Sequence, residues 1–270
     1  GMGEGDFGAG VFGGDSDLGT ELKAGGGGTM FGSRGGEGLV GTFYDLKQTP
    51  DGKPTKFAGG ISPGDFYGLL GEYGKEKFSP SVVEGYYQAK EKMSYTYLLI
   101  PDMDAREGPA AFNVEREVEP KGWFVHYSGY VAAPRDGVWR FVGRFDDAVM
   151  VYVNDQLVLD GGYRIATPGV SEPFTSQAFA NGKPAFAGKW VSLRGQFKLD
   201  ILIGERPGGF LGGGLLVEEK SGDYEKRADG SPIIPVFSTA EFSSKDLMRL
   251  ADYPYDIAET TPVFKMYSRQ

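Results

Sequence analysis

The sequence of 270 residues predicts a mainly β protein, an antiparallel β-sandwich or barrel with a few short inserted helices. In the segment GVWRFVGRF, Trp139, Phe141 and Phe145 share one face, whereas Arg140 and Arg144 share the other. The segments WFVHYSGYV and QFKLDILIG alternate in the same way. Alternation with a period of two residues indicates strands that bury one face in a core and turn the other outward.

Local signals mark the connections between these strands. Asn154 and Asp155 separate VMVYV from QLVLD, and both residue types tolerate the positive φ angles of a two-residue hairpin turn. One helix is predicted to begin after Ser62, which is a good N-cap residue. A second helix is predicted in STAEFSSKDLMRLADYP, where Ser238 and Glu241 have the spacing of a capping box.

Composition divides the chain into three segments. Residues 1–37 form a glycine-rich N-terminal arm or linker, residues 38–220 form the β-sandwich domain, and residues 221–270 form a C-terminal extension with a short helix. Apolar side chains recur along the arm: Phe7, Val11, Phe12, Leu18, Leu22, Met30 and Phe31. A flexible spacer needs no such anchors, so we expect the arm to pack on its own domain or on a partner subunit in an oligomer; a disordered tether is the alternative.

The composition also excludes several classes of function. The net charge of −9 argues against nucleic-acid binding, which requires clustered Lys and Arg. Cysteine is absent, so a disulfide framework and a thiolate metal site are both excluded. His126 is the only histidine, and we interpret it as an ordinary strand residue rather than a catalytic base or zinc ligand. No apolar stretch approaches the roughly 20 residues that a membrane-spanning helix requires.

The first two residues bear on the expected location. Gly1 precedes Met2, which is typical of tag removal. If an export signal has been removed from the given sequence, we expect an extracytoplasmic protein that is periplasmic, displayed on the cell surface or secreted. If Met2 is the natural start, we expect a cytoplasmic protein.

Two adjacent aspartates, Asp146 and Asp147, precede the apolar run AVMVYV. They are open to three interpretations: a calcium site, a catalytic acid pair, or the polar boundary at which a loop becomes a strand. Neighbouring side chains on a regular strand point to opposite faces, so joint action on one ligand requires a distorted backbone. The same geometry argues against the catalytic pair, because glycosidase carboxyls flank a scissile bond at about 5 to 9 Å from each other.

The order of the motifs resembles a known family. GLVGTFYDLKQT, WFVHYSGYVAAPRDGVWRFVGRFDDAVMVYVNDQLVLDGG and FKLDILIGERPGGFLGGGLLVEE follow one another over residues 38–219. This succession is similar to the protective-antigen-like (PA-fourteen) domain of anthrax protective antigen, yeast flocculins and adhesins, and bacterial glycoside hydrolases. The resemblance implies a β-sandwich and non-catalytic binding of carbohydrate or another envelope ligand, as in adhesion.

The resemblance also implies a metal site. In the adhesin branch the aspartate pair is joined by a cis peptide and binds Ca²⁺, which in turn holds sugar hydroxyls; by motif that role falls on Asp146 and Asp147. Calcium takes six to eight oxygen ligands, so further donors must come from loops. The loop over residues 204–214, GERPGGFLGGG, contains no Asn or Asp, and Ala148 replaces the glycine that commonly follows the pair. Glycine carbonyls of that loop are the remaining candidates.

Two aromatic residues are predicted to contact the ligand. Tyr163 follows the hairpin in DGGYRIATPG, and Phe210 lies between the glycines of the 204–214 loop. We therefore expect a ligand site built from Asp146, Asp147, Tyr163 and Phe210, with no catalytic residues.

Three functions remain open. The first is a binding module for a glycan or an envelope protein. The second is a structural or assembly role, in which the glycine-rich arm packs on a partner subunit. The third is a glycan-acting hydrolase, which would need two facing acids with pKa values pushed apart.

Overall fold

The computed structural model describes residues 28–162, 169–179 and 182–268, which form two packed antiparallel sheets and four short helices. Within these residues the first sheet has ten strands and the second has six. Neither sheet closes on itself over the part of the chain that is described, so the architecture is a sandwich and confirms the predicted fold class. None of the helices in these residues is long and apolar enough to cross a bilayer.

The elements are as follows. The first sheet contains, in spatial order, β1 (Gly28–Thr29), β2 (Gly32–Ser33), β5 (Met93–Tyr95), β3 (Leu39–Asp45), β7 (Trp123–Ala132), β14 (Gln196–Glu205), β9 (Ala148–Val153) and β10 (Gln156–Asp160), with β4 (Tyr87–Gln88) beside β3 and β16 (Lys265–Tyr267) beside β7. The second contains β11 (Glu172–Phe179), β12 (Lys183–Ala187), β8 (Gly137–Asp146), β15 (Phe210–Glu219) and β6 (Leu99–Asp104), with β13 (Val191–Leu193) beside β8. The helices are α1 (Pro63–Lys75), α2 (Pro80–Val83), α3 (Glu107–Ala111) and α4 (Ser244–Ala251).

The alternation of β8 places its apolar residues between the sheets, as predicted. Trp139, Phe141 and Phe145 are fully buried in the main core. Arg144, on the opposite face of the strand, is also buried, and its guanidinium lies 5.4 Å from the centroid of the Phe186 ring. The strand therefore separates an apolar face from a face on which charged side chains are held by specific partners.

The local turn and cap predictions are confirmed where the hairpin and α1 begin. Asn154 and Asp155 adopt positive φ angles of 47° and 64° between β9 and β10. The Ser62 side chain accepts a hydrogen bond of 3.1 Å from the backbone N–H of Asp65 and so caps α1. This helix covers the outer face of the first sheet, where it packs against side chains such as Phe124 and contributes a second apolar cluster.

The predicted cap of the last helix is wrong. Ser238 is fully buried and bridges to the backbone of Tyr97, so the chain is still extended at that point. The N-cap lies five residues later, where Ser243 and Asp246 form the capping box of α4. The capping-box spacing occurs twice in this stretch, and burial of the first serine decides which one is used.

Both flanking segments contribute to the main core. Phe31 packs edge-on against Trp123, with ring centroids 6.0 Å apart, and is almost fully buried. Phe264 is fully buried and lies 5.2 Å from Trp139. The division of the chain by composition stays a prediction, but these contacts join residues 28–37 and the C-terminal extension to the sandwich.

Candidate functional site

Two connections between the sheets pass side by side at one end of the sandwich. Asp147 alone joins β8 of the second sheet to β9 of the first, and residues 206–209 lead from β14 back to β15. The backbone N–H of Asp147 donates to the carbonyl of Gly204 at 3.0 Å, and the N–H of Arg206 donates to Asp147 Oδ2 at 2.9 Å. These bonds hold the two connections in contact and bring their carboxylates together.

Three carboxylates converge at this point. Asp146, Asp147 and Glu205 each offer an oxygen, and the three oxygens lie within 4.8 Å of one another. The peptide bond between Asp146 and Asp147 is cis, and the two side chains do not diverge as they would on a regular strand. Calcium–oxygen distances of about 2.3 to 2.6 Å place opposite ligands about 5 Å apart, so the cluster has the dimensions of a single cation site.

Glu205 is buried with one oxygen that lacks a hydrogen-bond partner. The residue is 1% exposed; its Oε1 accepts from the backbone N–H of Gly208 at 3.0 Å, whereas no donor within the described residues reaches Oε2. Buried polar atoms are nearly always paired, because leaving one unpaired costs free energy. A cation or a proton at the cluster would satisfy this oxygen.

The electrostatics of the cluster favour a counter-charge. Burial and, to a lesser extent, the charge of Asp147 together raise the pKa of Asp146 to about 7, although the guanidinium of Arg144 opposes the shift. Burial also raises the pKa of Glu205 to about 10, again with contributions from Asp147 and Asp146. The raised pKa values of Asp146 and Glu205 mean that these two carboxyls hold protons more readily than usual unless positive charge is supplied.

Of the two aromatic residues predicted to contact the ligand, only Phe210 lies within the described residues. Phe210, the first residue of β15, is 66% exposed and follows Gly208 and Gly209, whose φ angles of +88° and +98° shape the turn. It lies five residues beyond Glu205, where the connection over residues 206–209 enters β15. Tyr163 falls outside the described residues. The assignment of both as ligand contacts stays a prediction.

His126 lies apart from the cluster. Its Nε2 is 2.7 Å from an oxygen of Asp200, and its Nδ1 is 3.0 Å from the hydroxyl of Tyr73 on α1. The contact of Nε2 lies within the first sheet, between β7 and β14, and the contact of Nδ1 attaches α1 to that sheet. These contacts support a structural interpretation of this residue.

The sequence analysis missed Glu205. It lies within the 204–214 loop that we searched for Asn and Asp, and its carboxylate joins the aspartate pair instead. A signal was available, because this glutamate directly follows the buried apolar run of β14. A charged residue in such a position requires a partner.

Comparisons with known proteins support the family resemblance that the sequence motifs indicated. A model of the PA14 domain family matches residues 81–196, which confirms the resemblance found in the sequence. The match includes Asp146 and Asp147 and ends before Glu205. A search among curated proteins finds no match to this chain.

Solved structures show similarity at low sequence identity. The PA14 sugar-binding domain from an RTX adhesin is 16% identical, with a TM-score of 0.41 over 70% of this chain and 93% of its own. The epithelial adhesin 6 A domain from Candida glabrata, in complex with Galb1-3GlcNAc, is 14% identical, with a TM-score of 0.41 over 87% of this chain and 93% of its own. A beta-glucosidase from Kluyveromyces marxianus, in complex with glucose, is 16% identical, with a TM-score of 0.34 over 73% of this chain and 19% of its own.

Proposed function

We propose that this chain, in which residues 81–196 match the PA14 domain, is a non-catalytic module that binds carbohydrate through a calcium ion held by Asp146, Asp147 and Glu205. The observation that carries the proposal is the unpaired, buried Oε2 of Glu205 beside two further carboxylates. Such an arrangement is costly in an isolated fold and becomes favourable when a cation is bound.

The donor set favours calcium among the common divalent ions. All three side chains offer carboxylate oxygens, which suit hard cations, whereas zinc prefers the nitrogen and sulfur ligands that are lacking in this cluster. Calcium accepts six to eight oxygens in a flexible geometry, so positions remain for ligands from outside the protein. When bound, the ion would supply positive charge and coordination positions that sugar hydroxyls can occupy.

Phe210 is proposed as the apolar contact of the same site. Its exposed ring is carried by the loop that follows Glu205, and sugar rings pack their C–H faces on aromatic side chains of this kind. Tyr163 is retained as a second proposed contact. We further propose that the protein acts outside the cytoplasm with a glycan as its partner.

The assembly role is a separate proposal and depends on residues 1–27, which lie outside the described part of the chain. The described part of the arm packs on its own domain, since Met30 and Phe31 are buried in the main core. A test is the oligomeric state of the chain with and without residues 1–27.

The main proposal is tested by calcium titration and a glycan array on the same variants. We expect calcium to raise the melting temperature of the wild-type protein and to support glycan binding that a chelator abolishes. The double variant Asp146→Ala, Asp147→Ala should lose both effects, whereas Glu84→Gln, at an exposed glutamate, should keep them. An equal calcium response in wild type and the double variant would refute the metal site.

A further inference from the structure

Strand β6 is irregular where it pairs with β15. Leu211 pairs with Met103 and Gly213 pairs with Ile100, so two residues of β6 lie opposite the single residue Gly212. This is a β-bulge, and its two residues are Pro101 and Asp102. Proline suits the position because it has no N–H to donate to the neighbouring strand.

The bulge changes the direction of Asp102. Ile100 is fully buried, and regular alternation would turn Asp102 toward the core on the same face. Instead, Asp102 Oδ1 lies 2.6 Å from the position that a Cβ atom on Gly212 would occupy. The carboxylate therefore lies over Gly212, in space that only a glycine leaves open.

This position is beside the carboxylate cluster. Gly212 is the register partner of Asp146, and directly paired residues of an antiparallel sheet project side chains from the same face. Phe145, one residue earlier, projects into the core, so Asp146 and Asp102 both project from the opposite face. The charge of Asp102 also contributes to the raised pKa of Asp146.

Asp102 is near the cluster but outside its innermost group. The oxygens that lie within 4.8 Å of one another come from Asp146, Asp147 and Glu205. Asp102 is not a member of this group, although its Oδ1 lies over Gly212, the register partner of Asp146.

We propose that Asp102 is a further residue of the cation site, which accepts a hydrogen bond from a water or ligand hydroxyl bound to the ion and is positioned by the Pro101 bulge and Gly212. The inference rests on the proposed function, because it presumes an ion at the cluster. It adds a fourth negative charge, which strengthens the attraction for a divalent cation and provides an acceptor for a hydroxyl. The predicted ligand is therefore a polyol with a hydroxyl whose oxygen coordinates the ion and whose hydrogen is donated to Asp102.

The test uses the full chain with Ca²⁺ and Tb³⁺ as probes. For Asp102→Asn we expect calcium affinity to fall about tenfold, from the loss of one charge roughly one water layer from a divalent ion in a solvent-like dielectric. The number of Tb³⁺-bound waters, from luminescence lifetimes in H₂O and D₂O, should stay unchanged. Asp104→Asn, on the same strand but paired with Arg106, is the control and should stay within about twofold of wild type.

A second variant tests the positioning. In Gly212→Ala the added Cβ would meet Asp102 Oδ1 at 2.6 Å and Asp102 Cα at 3.1 Å, so the aspartate must move. We expect a loss of calcium affinity similar to that of Asp102→Asn, and little further loss when the two changes are combined. Circular dichroism in the presence of a chelator checks that each variant is folded.

Each outcome separates the inference from the proposed function. Wild-type protein that binds neither ion refutes the proposed function, and the inference falls with it. Calcium binding that is unchanged in Asp102→Asn, or equally weakened in Asp104→Asn, refutes the inference alone. A gain of one bound water on Tb³⁺ in Asp102→Asn would make Asp102 a direct ligand and overturn its role through water.

Discussion

Replacing Glu205 with glutamine should stabilise the ion-free protein at neutral pH while removing its response to calcium. Glu205 is 1% exposed, and burial raises the pKa of its carboxyl to about 10. Glutamine has nearly the same shape as a protonated glutamate but carries no charge at any pH. The substitution therefore removes the cost of burying a carboxylate and also removes a proposed calcium ligand.

The magnitude follows from the linkage between protonation and folding. Because the pKa of Glu205 in the folded protein lies above the ordinary value of 4.5, the folded state holds this proton at pH values where the unfolded state has lost it. The contribution of this group to stability is fully present below about pH 4.5 and is lost as the pH rises toward 10. One such group changes the free energy of unfolding by about 1.4 kcal/mol per pH unit. The Glu205→Gln variant lacks this pH dependence. The difference between its free energy of unfolding and that of wild type should therefore grow by about 4 kcal/mol, in favour of the variant, between pH 5 and pH 8.

Urea denaturation of both proteins in chelator, at pH 5, 6, 7 and 8, measures this difference in the free energy of unfolding directly. Calcium at 100 times its dissociation constant should add about 2.7 kcal/mol to wild type and should have little effect on the variant. Glu84→Gln, at an exposed glutamate, controls for loss of an acidic side chain. If the difference in the free energy of unfolding stays constant with pH, the pKa of Glu205 is not raised by burial. If calcium stabilises both proteins equally, Glu205 is not a ligand of the ion.

Three further predictions concern other parts of the molecule. Phe210→Ala should weaken glycan binding on an array while leaving calcium affinity within about twofold, because its ring is exposed; equal loss of both would contradict its role as a ligand contact. Phe31→Ala should lower the free energy of unfolding by about 3 to 5 kcal/mol in urea, whereas Val40→Ala, at a 45% exposed position, should change it little. Ser243→Ala should cost about 1 kcal/mol in urea by removing the cap of α4, and an unchanged free energy of unfolding in this variant would contradict the assignment.

The sequence alone predicted the features that depend on residues close to one another along the chain. The alternation of Trp139, Phe141 and Phe145 identified the core face of β8, because side-chain direction in a strand depends only on local geometry. The turn at Asn154 and the cap at Ser62 followed for the same reason, since each residue type has an intrinsic backbone or hydrogen-bonding preference.

The candidate site depended on contacts that no local pattern contains. Glu205 reaches Asp147 only because β14 pairs with β9 and places Gly204 opposite Ala148. Asp102 depends on a register shift against β15, and an alternating pattern predicts the wrong face for it. Register between distant strands is set by the packing of the whole sandwich, so it could not be predicted from either segment alone.

The two connections that pass each other at the end of the sandwich have a mechanical consequence. A bound ion would join Asp147 to Glu205 and so fasten the exit of β8 to the exit of β14, across about 60 residues of intervening chain. Such a link acts as a reversible crosslink of the folded state, because the ion binds only while both carboxylates are held together. In a single-molecule pulling experiment the force needed to separate the two sheets should then fall when the ion is chelated. A protein anchored at one end and bound to a ligand at the other would thereby resist load better when calcium exceeds the dissociation constant of the site.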